Sequence, residues 1–207
     1  MPPTLDFEKV ARFKGYVQIA GIDEAGRGPW AGPVSAAAVI LPRDFAHAVL
    51  NDSKQLTEKK REIIFEELMA DKQILWGIGL ASAEEIDSLN ILRATHLAMQ
   101  RAVADLCSTP DFLLIDGRPV KGFAIPQQAI VKGDAKSLSI AAASILAKVT
   151  RDRLMLEIGR EFPQYGFAKH KGYGTAQHSK TLQEFGPCPV HRKSFAPVRA
   201  ALAQRPL

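Results

Sequence analysis

Three apolar segments alternate with polar or glycine-rich segments in the first half of the chain. Residues 16–22 alternate well enough between apolar and polar side chains to predict a strand that ends at Asp23. A second apolar segment covers 34–41 and is closed by Pro42, and a third covers 74–81. We interpret the three as strands of an antiparallel meander.

Apolar residues recur at helical spacing in three other places. A helix is predicted over 57–70, where the threonine at its start is a good N-cap. Ser82 and Glu85 have the spacing of a capping box at the next helical entry, and an apolar stripe follows over 92–106. The longest pattern predicts a helix from Ser137 to about Gly159.

Two short segments in the second half predict strands, and the continuous apolar run of the first one is typical of a strand buried on both faces. They cover 112–115 and 128–131, and the helices that separate them from the meander indicate parallel pairing. The predicted fold is α/β, with a five-stranded mixed sheet flanked by helices and a helical C-terminal extension. We expect one domain over 1–160, with a basic extension over 161–207 that packs on it.

Composition describes an ordinary globular chain, with 46% hydrophobic and 24% charged residues among 207. From Lys148 onward, however, eleven Lys and Arg stand against four Asp and Glu, so most of the positive charge lies in the C-terminal part. That asymmetry favours a polyanionic partner, and a solvated basic helix is the alternative. Neither a membrane span nor a secretory signal is visible, and Cys107 and Cys188 lack metal-ligand spacing, so we expect a cytoplasmic protein.

Three of the predicted strands each end in an aspartate, namely Asp23, Asp116 and Asp134. Strand ends in an α/β sheet meet along one edge, where ligands usually bind. Taken singly, these residues could be two turn residues and a helix cap. Glu24 joins them only if the first strand has ended before it, because consecutive side chains on a strand point to opposite faces.

Crowded carboxylates repel one another unless cations neutralise them, and hard oxygen ligands select Mg²⁺ or Mn²⁺. Four negative charges balance two divalent ions, the arrangement of two-metal phosphodiester hydrolases, in which the ions are about 4 Å apart. The sequence contains no zinc-protease, phosphate-loop or nucleophile-elbow motif, and its five histidines are scattered.

Several long motifs resemble those of prokaryotic ribonuclease HII. They are GIDEAGRGPWAGP from Gly21, DSKQL from Asp52, LLIDG from Leu113, KGDAKSLSIAAASILAKVTRD from Lys132, HKGYGT from His170 and HRKSFAPV from His191. The resemblance implies an RNase H-like fold and cleavage of RNA paired to DNA. It also implies incision 5′ of a lone ribonucleotide in duplex DNA, which leaves 5′-phosphate and 3′-hydroxyl ends, and roles in primer removal and ribonucleotide excision repair.

The same resemblance assigns residues to roles. The family's four metal-binding carboxylates correspond to Asp23, Glu24, Asp116 and Asp134. Its substrate-sensing motif corresponds to Gly26, Arg27 and Gly28, and the tyrosine that packs on the ribose corresponds to Tyr173. A core tyrosine is the alternative for the last.

Further substrate contacts are predicted from charge and spacing. Ser144 and Lys148 are four residues apart on the long helix, so they could hold one phosphate together, or face solvent. The candidate contacts to the nucleic-acid backbone are Lys54, Lys169, Lys171, Arg192 and Lys193. We expect a monomer without a sliding-clamp tail.

Three other functions remain open at this stage. Ribonuclease HIII is the close relative, but only 22 residues precede Asp23, and Arg27 in place of lysine favours HII. A binding domain without catalysis is disfavoured by four intact carboxylates, which would repel phosphates. A junction resolvase would share the fold but would not need the motifs at Arg27 and Tyr173. Trp30 departs from the smaller apolar residue that the family would have there.

Overall fold

The structure is a computed structural model, which describes residues 2–47, 49–50, 53 and 56–204. Its elements, in chain order, are α1 (Asp6–Phe13), β1 (Ile19–Ala25), β2 (Val34–Ile40), α2 (Glu58–Ala70), β3 (Leu75–Ala81), α3 (Ala83–Leu89), α4 (Ile91–Ala104), β4 (Phe112–Asp116), β5 (Gln127–Ile130), α5 (Leu138–Glu161), α6 (Phe167–His170), α7 (Ala176–Phe185) and α8 (Ala196–Ala203).

Five strands from the described residues form one mixed sheet in the order β3-β2-β1-β4-β5. The first three pair antiparallel, and β4 and β5 add to β1 in parallel. The predicted meander with two parallel additions is therefore confirmed. A short loop joins β1 to β2, and α2 lies between β2 and β3 in the chain. The connection from β3 to β4 runs through α3 and α4 and places β4 on the other side of β1.

Helices cover both faces of this sheet. On one face α5 packs against β1 and β2, and α2 packs against α5 in the same hydrophobic cluster. On the other face α4 packs against β3 and β2. Every residue of β2 is buried as a result. The close approach of α4 depends on two glycines of β3, since a Cβ on Gly79 would lie 2.1 Å from the carbonyl oxygen of Ala98.

The predicted helix starts are confirmed by their hydrogen bonds. Thr57 accepts from the backbone of the residue three positions on, and Ser82 and Glu85 form a complete capping box. Ser137 caps the long helix in the same way. A break at Asn90, whose φ is +71°, separates α3 from α4.

One helix was missed by the sequence prediction, which treated the N-terminus as a polar start. In α1 the side chain of Glu8 is buried, and its Oε1 accepts hydrogen bonds from Ser137 Oγ at 2.7 Å and from Ser139 N at 3.0 Å. A carboxylate at the first turn of α5 also complements the helix dipole. This contact fastens α1 to the start of the helix that underlies the site.

The C-terminal segment packs on α5 and on the loop after β1. Tyr165, Phe167 and Cys188 form a buried cluster with Met155 of α5 and Ala31 of that loop. None of the helices in the described part of the chain is long and apolar enough to cross a membrane.

Candidate active site

Three aspartates meet at one edge of the sheet. One oxygen from each of Asp23, Asp116 and Asp134 lies within 4.8 Å of the others. The register of β1 against β4 pairs Ile22 with Ile115, so the next residues of these parallel strands, Asp23 and Asp116, are neighbours. The prediction that these aspartates come together is therefore correct.

Asp134 reaches the site from a turn, which corrects the prediction that it ends a strand. Strand β5 stops at Ile130, and Asp134 lies in a 3₁₀ turn over Gly133–Ala135 that leads into α5. The backbone N–H of Gly133 donates to Asp116 Oδ1 at 2.6 Å. Since a Cβ on Gly133 would lie 2.7 Å from Ile140 Cδ1, glycine allows this turn to pack closely on α5.

Burial and electrostatic repulsion both act on the carboxyl group of Asp23, whose side chain is buried. Burial raises the pKa of this carboxyl well above its ordinary value, and the negative charges of Glu24, Asp116 and Asp134 raise it further. The backbone N–H of Glu24 opposes them by donating to Asp23 Oδ1 at 2.7 Å. Keeping Asp23 negatively charged at neutral pH therefore costs free energy, and a bound cation would offset that cost. The donor set therefore fits a hard divalent cation.

Glu24 differs from the expectation that β1 ends before it. The strand continues to Ala25, so Asp23 and Glu24 are consecutive strand residues. Glu24 does not belong to the set of close oxygens found among the described residues, and its Oε1 lies 3.3 Å from Arg27 Nη1. Its assignment as a metal ligand stays a prediction, supported by its effect on the Asp23 pKa.

Removing one charge from this cluster should stabilise the metal-free protein. A raised folded-state pKa means that the folded state binds the proton more tightly than the unfolded state, so stability rises as pH falls through the folded pKa. We expect Asp23→Asn to raise the unfolding midpoint without divalent ions at pH 7 by about 2 to 4 °C, the worth of about 1 kcal/mol in a chain of this size. The difference should shrink as the pH is lowered.

Thermal unfolding of chelator-treated protein between pH 5 and pH 8 measures this effect. Glu157→Gln, which changes an exposed carboxylate on α5, is the matched control and should leave the midpoint unchanged. A lower midpoint for Asp23→Asn than for this control would contradict the assignment of repulsion at the site.

The loop after β1 presents backbone beside the aspartates. Gly26 has a φ of +96°, and a Cβ there would lie 2.0 Å from Arg151 Nε, so both the backbone conformation and the space require glycine. Gly28 lies next to Tyr173, because a Cβ on it would be 3.9 Å from the tyrosine Cε1. The Arg27 side chain between the two glycines is half exposed.

Tyr173 is 45% exposed, so the alternative of a core tyrosine is wrong. Its backbone is nevertheless firmly held. The N–H donates to the carbonyl of His170 at 2.9 Å, and the carbonyl lies 2.9 Å from His178 Nδ1. The Arg151 guanidinium lies 5.9 Å from the centre of the ring. The structure therefore places an accessible ring, on a firmly held backbone, beside Gly28.

Arg192 corrects one of the predicted contacts to the nucleic-acid backbone. Its side chain is fully buried, and it donates to the carbonyl oxygens of Gly26 at 2.6 Å, Arg27 at 2.9 Å and Gly32 at 3.0 Å. A guanidinium that is buried and bonded in this way is not available to a phosphate.

Ser144 also differs from its prediction. It shares a helix face with Lys148, but it is buried, and its Oγ donates to Ser53 Oγ at 2.7 Å. Lys148 Nζ forms an ion pair with Asp152 Oδ1 at 2.6 Å. The two therefore do not form a shared phosphate site in this structure.

The remaining lysines stay predicted contacts to the nucleic-acid backbone. Lys169 and Lys193 are exposed, and Lys171 Nζ donates to the carbonyl of Ala168 at 2.6 Å. Lys54 lies outside the described residues.

Sequence comparison decides the family. The family profile described as Ribonuclease HII matches residues 20–198. This range contains the aspartate trio (Asp23, Asp116 and Asp134), the Gly26–Gly28 loop and Tyr173. This chain belongs to the ribonuclease HII family. It is therefore a ribonuclease H enzyme, of the kind that cleaves RNA in RNA–DNA hybrids.

Individual relatives agree with the family profile. The chain is 56% identical over 195 residues to the ribonuclease HII of Endomicrobium trichonymphae, with 94% of this chain and 92% of that protein covered. It is 54% identical over 200 residues to the ribonuclease HII of Chlamydia trachomatis serovar L2, with 96% and 91% covered. The ribonuclease H2 of Pyrococcus horikoshii OT3 superposes with a TM-score of 0.76 at 25% identity, over 91% of this chain and 98% of that one.

These findings confirm the RNase H-like fold. They also favour HII over HIII, and an enzyme over a binding domain without catalysis. Since the profile covers the loop after β1 and the Tyr173 segment together, the junction-resolvase hypothesis loses its basis.

The ribonuclease HII chain also contains a histidine cluster that the sequence did not reveal, because the three residues had seemed scattered. His178 and His191 are buried with Nε2 atoms 3.0 Å apart, and His170 stacks on His178 at 4.6 Å between ring centres. Burial lowers the pKa of His178, and that of His191 to about 4. Two neutral rings can satisfy all of these hydrogen bonds. The backbone N–H of Cys188 donates to His191 Nδ1, His191 Nε2–H donates to His178 Nε2, and His178 Nδ1–H donates to the Tyr173 carbonyl.

A groove of about 400 Å³ opens beside the carboxylates of this ribonuclease HII. Its lining residues include Glu24, Arg27, Asp116, Arg118 and His96 of α4. Burial lowers the pKa of His96, and the positive charge of Arg27 lowers it further. Neither His96 nor Arg118 was predicted from the sequence, because the stripe over 92–106 indicated only a core helix at His96, and Arg118 lies just after the LLIDG motif. The positive charges of Arg27 and Arg118 suit a phosphate of the substrate.

Proposed function

We propose that this ribonuclease HII incises duplex DNA on the 5′ side of a single embedded ribonucleotide, besides cleaving the RNA of hybrids. The observation that carries the proposal is the position of the exposed Tyr173 ring against Gly28, one loop away from the aspartate trio. The carboxylates proposed to catalyse cleavage thus lie next to a surface that suits a sugar hydroxyl. Primer removal and ribonucleotide repair, by a monomer in the cytoplasm, are the setting that this activity fits.

Two divalent ions, Mg²⁺ or Mn²⁺, are proposed as the cofactors. Asp23, Asp116 and Asp134 would hold them with Glu24, because carboxylate oxygens suit these cations and four negative charges balance two of them. When bound, the ions lower the pKa of the attacking water and stabilise the departing oxygen. The residues position the scissile phosphate, and the products would carry 5′-phosphate and 3′-hydroxyl ends.

Recognition of the ribose is proposed for the Gly26–Gly28 backbone and Tyr173. The 2′-hydroxyl is the group that distinguishes RNA from DNA, and it both donates and accepts hydrogen bonds. Because Gly26 and Gly28 have no Cβ, the backbone at these positions can approach it closely. The tyrosine ring offers an apolar face to the sugar and a hydroxyl at its edge. A site that requires a hydroxyl rejects an analogue without one strongly.

Loss of the tyrosine ring should weaken incision at a single ribonucleotide. We expect Tyr173→Ala to lower kcat/KM on that substrate by about 10- to 100-fold, since the sugar loses the surface that orients it. The Tyr173 backbone contacts to His170 and His178 do not need the side chain, so the variant should fold normally.

Gel-resolved incision of a duplex with one ribonucleotide gives this rate. Phe13→Ala removes another exposed aromatic ring, 95% accessible on α1, and should be neutral. Equal rates for wild type, Tyr173→Ala and Phe13→Ala would show that the tyrosine takes no part in substrate recognition.

A further inference from the structure

Two arginines are buried beneath the loop that follows β1. The exposed fractions of Arg151 and Arg192 are 1% and 0%. Neither forms an ion pair with a carboxylate in the part of the chain that the structure describes. Burial lowers the pKa of both guanidinium groups, and for Arg192 the nearby charge of Arg151 lowers it further. Two like charges thus lie close together at an electrostatic cost.

Backbone carbonyl oxygens take the place of counter-ions for Arg192. Besides Gly26, Arg27 and Gly32, it donates to Pro33 at 3.2 Å, so its planar fork spans four carbonyls of one loop. This loop follows a path with few hydrogen bonds of its own. The guanidinium supplies the donors that regular structure would otherwise provide.

Arg151 joins the same loop to the segment that carries Tyr173. From α5 it donates to Pro33 at 2.9 Å, to Ala31 at 3.1 Å and to Lys171 at 3.0 Å. Lys171 is only two residues before Tyr173. A second link runs from the N–H of Trp30 to the carbonyl of Gly172 at 2.8 Å. The Gly26–Gly28 backbone and the Tyr173 segment, which are proposed to recognise the ribose, are therefore held by the same two arginine side chains.

A stability role alone does not account for this arrangement. Burying charges is expensive, and apolar side chains of similar volume often stabilise a protein as well or better. The two guanidinium groups instead make seven hydrogen bonds that fix the direction of six backbone carbonyls, five in the loop after β1 and one at Lys171. A shift of about 1 Å in such a site can cost about 100-fold in rate.

We propose that Arg192 and Arg151 are positioning residues for ribose recognition, which set the gap between the Gly26–Gly28 backbone and the Tyr173 ring. The inference rests on the proposed function of that gap. Neither arginine touches the substrate. Lysine cannot replace them, because one ammonium group cannot reach carbonyls that a planar fork bonds at separate points.

The test compares Arg192→Lys and Arg151→Lys with Arg153→Lys. The control also lies on α5, but it is half exposed and pairs with Glu62 and Glu66, away from the loop. For each protein we would measure the unfolding midpoint, kcat and KM on a duplex with one ribonucleotide, and the dependence of affinity on salt. The same rates on a long RNA–DNA hybrid show whether general nuclease activity persists.

Positioning predicts that kcat on the single ribonucleotide falls by about 10- to 100-fold in both variants. It also predicts that KM stays within about threefold and that the salt dependence is unchanged. Loss of a direct phosphate contact would instead raise KM and reduce the salt slope by about 0.9, and this result would overturn the inference. Rates equal to those of Arg153→Lys would overturn it as well.

Two further outcomes are decisive. If Arg192→Lys is unfolded at the assay temperature, Arg151→Lys is judged by the same criteria, since it leaves the bonds of Arg192 to Gly26 and Arg27 in place. Unfolding of both would make the arginines structural and would end the positioning role. If wild type cleaves the hybrid but ignores the single ribonucleotide, the proposed function fails, which is distinct from a failure of the variants.

Discussion

Asp134→Asn is expected to lower the rate of hybrid cleavage by about 1,000-fold or more. Metal-ion stabilisation of a transition state is worth several kcal/mol, and each 1.4 kcal/mol is a tenfold change in rate. The substitution keeps the size of the side chain and removes one of three charges whose oxygens lie within 4.8 Å of one another. Cleavage of a labelled hybrid under single-turnover conditions measures the effect.

Binding should survive the same substitution. One fewer carboxylate then faces the phosphates, so we expect the variant to bind the hybrid at least as tightly as wild type. Glu157→Gln is again the matched control, with full activity expected, because its carboxylate is exposed on α5. Full activity in Asp134→Asn would remove this residue from the metal site. A rate loss matched by an equal loss of affinity would point to substrate binding instead.

Much of the scaffold of this site was predictable from local patterns. Strand β4 is a continuous apolar run that ends in Asp116, and burial on both faces requires that composition. The capping box of Ser82 and Glu85 marked a helix start through bonds that span only three residues. Signals of this kind depend on neighbours in the sequence, so reading along the chain detects them.

Features that depend on distant contacts could not be predicted in this way. The carbonyl of Gly32 that Arg192 bonds is 160 positions away in the chain, so the arginine looked like any other cation of a basic tail. The histidine cluster likewise forms only when α7 packs beside the segment of His191. Glu8 gave no signal because the serines that it bonds begin another helix.

Trp30 shows the same limit at the scale of one residue. The sequence indicated only that its size was unusual. In the structure its indole lies under the Tyr173 segment, where a Cβ on Gly174 would be 2.2 Å from the ring, and it packs against His178 at 5.2 Å between ring centres. The large indole ring of Trp30 therefore supports the Tyr173 segment.

Replacing the single ribonucleotide by its deoxyribonucleotide is expected to reduce incision by at least about 1,000-fold. A site whose polar groups are arranged for a hydroxyl leaves them unpaired when the hydroxyl is absent, and discrimination of about 10⁴-fold is typical of such sites. Here the groups are the backbone around Gly28 and the exposed ring of Tyr173. A pair of duplexes that differ in one oxygen atom measures the ratio directly.

The most direct test combines that pair of duplexes with control of the metal. Each duplex is incubated with Mg²⁺ or Mn²⁺ and, separately, with excess chelator, and the product ends are mapped. The account predicts a single cut, 5′ of the ribonucleotide, with 3′-hydroxyl and 5′-phosphate ends, only when the 2′-hydroxyl and the divalent ion are both present. Comparable cutting of the all-DNA duplex, or undiminished cutting in chelator, would contradict it.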